Sequence, residues 1–116
     1  MKKISQKYYD EGMGCSRSIL MAFRDKYGYV TEEVINSANA INNGFGIGGM
    51  CSALLAGIMI LGLLYKGEEA YSERMRLMTC FQCKFCSINC MSLAKEREDC
   101  VDLMDFVCDY LEEKMK

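Results

Sequence analysis

The sequence predicts an all-α fold: a compact bundle of about five to six helices around a central apolar helix. Three observations carry this reading. Proline is absent from the 116 residues, so helices can run without interior breaks. Ten methionines join many Leu, Ala, Glu and Lys residues, all good helix formers. The β-branched alternation that marks strands is missing. The length suits one domain over residues 1–116, with a real core but no room for a second.

Taken in order, residues 3–12 read as a short amphipathic helix with Ile4 and Tyr8 inward, broken by Gly12 and Gly14. The next helix runs about Cys15–Tyr27, with Cys15, Ile19, Ala22 and Phe23 on one face, and Gly28 ends it. Thr31 caps a third helix whose first turn carries Glu32 and Glu33, where carboxylates suit the dipole. Residues 42–49 are a glycine-rich loop. Cys51–Tyr65 is apolar on every face and is expected to be the central helix, wrapped by the others. Its 15 residues fall short of the ~20 that span a bilayer, so a buried core helix is expected rather than a membrane span. Small residues Ser52, Ala53, Ala56 and Gly57 permit close helix approach, and with it a homodimer. Glu68–Phe81 begins a charged fifth helix. Ser87 reads as the cap of a short helix through Lys95. The last helix, about Glu98–Lys114, lines up Cys100, Val101, Met104, Val107, Cys108 and Leu111.

Composition narrows the chemistry. Net charge is -2 with no long basic run, so nucleic-acid binding has no electrostatic footprint. Histidine is absent, which removes Cys–His and Ser–His pairs, imidazole bases and His metal ligands. Eight cysteines remain as the reactive groups. The charged start of the chain shows no secretory signal, so a cytoplasmic setting is expected, with thiols, transient disulfides or metal ligands rather than a disulfide framework.

Two motifs stand out. Cys80-x2-Cys83-x2-Cys86-x3-Cys90 has the spacing of the bacterial ferredoxin run, and soft thiolates suit iron–sulfur clusters. Met91 replaces the usual proline, and no second run exists. On one straight helix Cys80 and Cys90 would lie about 15 Å apart, so this set needs a chain turn near Cys86-Ser87. The other motif, Gly44-x-Gly46-x-x-Gly49, matches a dinucleotide fingerprint in spacing but lacks the preceding strand. It reads better as a loop that lets backbones approach closely and delivers Cys51 to a helix N-terminus, where orphan N–H groups favour thiolate.

Those residues resemble a family of small redox-active proteins named for their C_GCAxxG_C_C cysteine pattern. The resemblance runs from about Lys7 to Met115. Tyr8–Ser16 is similar to the family's opening segment, Gly44–Ala53 to its glycine loop and central cysteine, Ile58–Leu63 to the segment that follows, Phe85–Leu93 to the third cysteine's context, and Cys100 to the fourth. The departures are a shorter glycine loop, Ser52 where Gly is usual, Ala56-Gly57 where Gly-Ala is usual, and Cys86 at a usual glycine position. Cys80, Cys83 and Cys108 stand as extras.

The resemblance singles out Cys15, Cys51, Cys90 and Cys100 as cofactor or metal ligands. Through similarity to part of split-Soret cytochromes c, it implies electron transfer with an iron–sulfur centre. Each of the four lies at or near an expected helix start, and helix starts from different segments can converge on one point. The expected function is therefore an oxidoreductase or electron-transfer protein with an unspecified redox partner, holding an iron–sulfur cluster or another thiophilic metal. The alternatives are a metal-free thiol–disulfide protein cycling Cys51 with Cys15 or Cys90, and a structural zinc domain. Cys51 is expected to be the most reactive or most strongly ligating thiol, with the helix terminus outweighing desolvation.

Overall fold

The computed structural model describes residues 1–116 and is all-helical. Seven α-helices follow one another: α1 (Lys2–Asp10), α2 (Gly14–Tyr27), α3 (Glu32–Ser37), α4 (Ser52–Leu64), α5 (Gly67–Phe85), α6 (Cys90–Ala94) and α7 (Val101–Lys114). Each of the seven corresponds to a helical segment read in order along the sequence, although the bundle is expected to hold about five to six helices. One turn of 3-10 helix (Ala38–Ala40) and a π-type turn (Gly44–Gly48) join α3 to α4. No helix is long and apolar enough to cross a membrane.

α4 is central, as its uniform apolarity requires, and packs against α2, α5 and α7. Ala53, Leu54, Ala56, Ile60 and Leu61 are fully buried on it, while Leu63 in its last turn emerges into solvent. Gly57 sets the closeness of that packing. A Cβ there would lie 2.8 Å from Val107 Cγ1 and 2.9 Å from Leu77 Cδ2, inside van der Waals contact. Ser52, Ala53 and Ala56 are likewise buried within the chain.

Local signals act as expected at several ends. Thr31 Oγ1 accepts the N–H of Val34 at 3.4 Å and starts α3. Gly28 closes α2 at φ +83°. Cys15, Ile19, Ala22 and Phe23 are all buried.

Three elements differ from expectation. α5 runs on to Phe85, because no Gly or Pro interrupts it, and stops only where Cys86 turns left-handed at φ +65°. α6 starts at Cys90, with Asn89 at the N-cap position and no side-chain cap; Ser87 accepts the Asn89 N–H at 3.1 Å in the preceding turn. On α1, Tyr9 packs on the core rather than Tyr8, whose hydroxyl donates to Asp25 at the surface, 2.6 Å away.

Candidate functional site

Four cysteines stand at four helix starts. Cys15 is the second residue of α2, Cys51 immediately precedes α4, Cys90 opens α6, and Cys100 immediately precedes α7. The chain brings two of these starts together through the glycine loop. The loop is left-handed at Asn43, Gly44, Phe45, Gly46 and Gly48, and at Gly44 an added Cβ would strike the backbone of Gly49. That turn lets residues 49–51 pair with residues 88–90. The Cys51 N–H donates to the Ile88 carbonyl at 2.7 Å, and the Cys90 N–H donates to the Gly49 carbonyl at 2.6 Å. Met50 and Asn89 thereby form an isolated antiparallel bridge between two helix starts.

Cys15, Cys51, Cys90 and Cys100 line one small cavity of about 20 Å³, together with Ser52 and Asn43 and closed by Leu93, Ala94 and Leu103. Cys15 and Cys51 are buried, and Cys90 and Cys100 are half-buried. Cys15 Sγ lies 2.6 Å from Ser52 Oγ. Cys15 and Cys100 face each other across this cavity. The neighbouring Cys100 thiol, reinforced by burial, pushes Cys15 far up, while Ser52 opposes the shift. The Cys15 thiol in turn lowers Cys100 to about 7 against its own desolvation, with help from the Tyr9 hydroxyl and the Arg97 guanidinium. Tyr9 also holds Cys100 from below: its hydroxyl accepts the Cys100 backbone N–H at 3.3 Å.

Cys51 differs from expectation in its electrostatics. Burial raises it to about 11, although the N–H groups of Leu54 and Ala53 at the start of α4 pull the other way. Desolvation wins because Cys51 is 3% exposed and lies close to Cys100 and Cys90. Of the four thiols only Cys100 is lowered from the ordinary cysteine value; Cys15, Cys51 and Cys90 are raised.

The alternative set Cys80, Cys83, Cys86 and Cys90 is not assembled. Cys80 and Cys83 ride on the solvent side of α5, Cys86 is exposed at its end, and only Cys90 reaches the cavity. The straight run of α5 carries these sulfurs along its axis rather than around a point. Cys108 is fully buried on α7, away from the cavity, and burial pushes it up to about 12.

The four convergent sulfurs suit a thiophilic metal in chemistry: soft donors, with no histidine or carboxylate among them. They do not suit an iron–sulfur cluster in space, since about 20 Å³ is roughly the room of one water. In these positions no group of three Cys, Asp or Glu side chains is arranged to hold a metal ion.

Sequence reasoning missed Tyr9, Ser52 and Arg97 as members of the site. Ser52 carried the one available signal, a hydroxyl beside Cys51 at a position where glycine is usual.

No match is found among curated proteins or among solved structures. The model of one family, described as "Putative redox-active protein (C_GCAxxG_C_C)", matches residues 13–114, from the residue before α2 to the last residue of α7. The chain belongs to the C_GCAxxG_C_C family of redox-active proteins.

Proposed function

We propose that this chain is a thiol-based redox domain whose working couple is Cys15 and Cys100, flanked by Cys51 and Cys90. The observation that supports this reading is the unequal thiol pair. Cys100 is half-exposed and lowered to about 7; Cys15 is buried and strongly raised. A dithiol needs this division of labour: an accessible thiolate to attack, and a protonated partner held in reserve.

In the oxidative direction the Cys100 thiolate attacks the disulfide of a redox partner. One partner sulfur leaves as thiolate and a mixed disulfide forms on Cys100. Cys15 then attacks Cys100 Sγ, its proton passing to the departing partner thiolate. The products are a Cys15–Cys100 disulfide and the partner's dithiol, so two electrons have moved from this chain to the partner. Tyr9 fixes the Cys100 backbone, and Ser52 lies against Cys15 as its proton leaves. The expected pairing of Cys51 with Cys15 gives way here, because Cys51 remains protonated at neutral pH.

A second reading is favoured by one observation: four cysteines converge on the cavity where a dithiol needs two. In a metal-loaded form Cys15, Cys51, Cys90 and Cys100 would be the ligands. A single thiophilic ion such as zinc would supply cross-linking there without redox chemistry.

Anaerobic purification with iron, sulfide and zinc analysis, followed by mass mapping after mild oxidation, separates the readings. A metal-free protein that loses two hydrogens, mapped to Cys15 and Cys100 and restored by dithiothreitol, supports the dithiol. Stoichiometric metal whose removal frees all four thiols for alkylation would replace it with the metal centre.

A further inference from the structure

The Cys80, Cys83 and Cys86 run takes no part in the four-thiol cavity, yet one member sits in an unusual place. Cys86 ends α5, its N–H still donating to the Gln82 carbonyl at 2.8 Å, and it does so at φ +65°. That left-handed closing position ordinarily falls to Gly or Asn, which lack a Cβ penalty or offset it. A cysteine held there is exposed and opens onto a separate cavity of about 450 Å³. This lies within the ~300–1,000 Å³ range of small-molecule sites.

The walls of that cavity are charged. Lys84 and Arg97 supply two cations and Glu96 one anion, with Ser87 and Ser92 between them. Arg97 is fixed in place. Its Nε donates to Asp102 at 3.2 Å, its guanidinium also reaches the Leu93 carbonyl, and it lies 5.6 Å from the centre of the Phe85 ring. Lys84 and Glu96 form no ion pair within the chain, leaving both charges available to a ligand.

Cys83 precedes Cys86 by one helical turn. Residues three apart on a helix have Cα atoms about 5 Å apart, inside the range that a disulfide bridges.

We propose that Cys86 and Cys83 form a second, surface redox couple that exchanges with a low-molecular-weight disulfide carrying carboxylate and ammonium groups, bound in the Lys84–Glu96–Arg97 cavity. Lys84 and Arg97 receive the carboxylates, and Glu96 the ammonium. The Cys86 thiolate attacks one sulfur of the small disulfide, forming a mixed disulfide and releasing one small thiolate. Cys83 then attacks Cys86 Sγ, its proton going to the second departing thiolate. A Cys83–Cys86 disulfide and two small thiols result, with the small disulfide as the oxidant. This couple does not depend on the Cys15–Cys100 reading, and it is measured on a different peptide.

The test uses glutathione disulfide as the probe on the reduced full-length chain, without oxygen, with peptide mapping over time. In a Cys83→Ser variant, Cys86 takes up a glutathionyl group roughly threefold to fivefold faster than Cys80, the size of effect that nearby surface cations give. Lys84→Glu slows the Cys86 reaction by that same factor, measured against Cys86 of the Cys83→Ser parent. The uncharged hydroxyethyl disulfide shows no dependence on Lys84. The unsubstituted chain accumulates the Cys83–Cys86 disulfide with release of two glutathiones. Equal rates at Cys80 and Cys86, or a Cys86 rate indifferent to Lys84→Glu, would overturn the proposal.

Discussion

Ser52 Oγ and Cys15 Sγ lie 2.6 Å apart inside the bundle, joining the first turn of α4 to the first turn of α2. Ser52 is buried, so its hydroxyl faces Cys15 rather than bulk water. It opposes the burial that raises Cys15, and so favours the thiolate that must form during the second exchange step. Ser52→Ala is expected to leave the attack by Cys100 intact and to slow the closure by Cys15. Quenched mass spectrometry should then show the mixed disulfide on Cys100 accumulating. The stability cost should be about 1 kcal/mol, the worth of one neutral hydrogen bond.

Alkylation of the native reduced protein should follow pH in separate steps. Labelling of Cys100 should reach half its maximal rate near its value of about 7. Cys51 should respond only toward about 11, and Cys108 toward about 12. Peptide mapping of iodoacetamide adducts across this range reads all three. Cys51 labelling ahead of Cys100 at neutral pH would restore the helix terminus as the dominant influence.

The same values give stability a pH dependence of opposite signs. Cys100 is lowered from 9.0 to about 7, so between these values the unfolded chain holds the proton that the native chain has lost. Its contribution is present above 9, and is lost as pH falls through 7. Cys51 and Cys108 are raised, so above 9 the unfolded chain has shed protons that the native chain keeps. Their contribution is full below 9 and is lost as pH rises through 11 and 12. Denaturant titrations in reductant should therefore show the cysteine contribution rising from 7 to 9 and declining beyond it.

Much of this site is legible in the sequence, for a physical reason. Helix starts announce themselves through glycines and caps, and Cys15, Cys51, Cys90 and Cys100 each follow or form such a start. The meeting of Cys51 with Cys90 is a tertiary fact carried by two backbone hydrogen bonds between residues 49–51 and 88–90, and no local pattern encodes it. The pairing of Cys15 with Cys100 joins distant segments and is equally silent. Tyr8 and Tyr9 are adjacent on α1, and helical periodicity alone does not decide which one faces Cys100; the packing of α1 between α2 and α7 does. The reach of α5 was hidden because its stop signal is a cysteine in a glycine's conformation.

Gly44→Ala tests the loop that carries Cys51 to Cys90. It forces a side chain into a left-handed turn and onto the backbone of Gly49, whose carbonyl holds the Cys90 N–H. A loss of about 2 kcal/mol is expected, lowering Tm by roughly 8 °C in a domain of this size. Exchange of the Cys51 and Cys90 amides with deuterium should accelerate together. A change confined to residues 44–49 would show that the bridge holds without the turn.

Cys108→Ala separates packing from chemistry. The thiol is fully buried on α7 and apart from the cavity. Its loss should cost about 1–2 kcal/mol in chemical denaturation, the scale of a small buried group. The number of electrons accepted in a redox titration should not change.

The measurement closest to the central claim is differential alkylation after acid quench and unfolding, on protein poised first fully reduced and then oxidised by a disulfide reagent without oxygen, with every cysteine peptide quantified. The account predicts that Cys15 and Cys100 are both alkylated in the reduced sample, both protected in the oxidised one, and both alkylated again after dithiothreitol. It also predicts that Cys108 is alkylated in both samples. Cys15 and Cys100 alkylating equally in both states would contradict it.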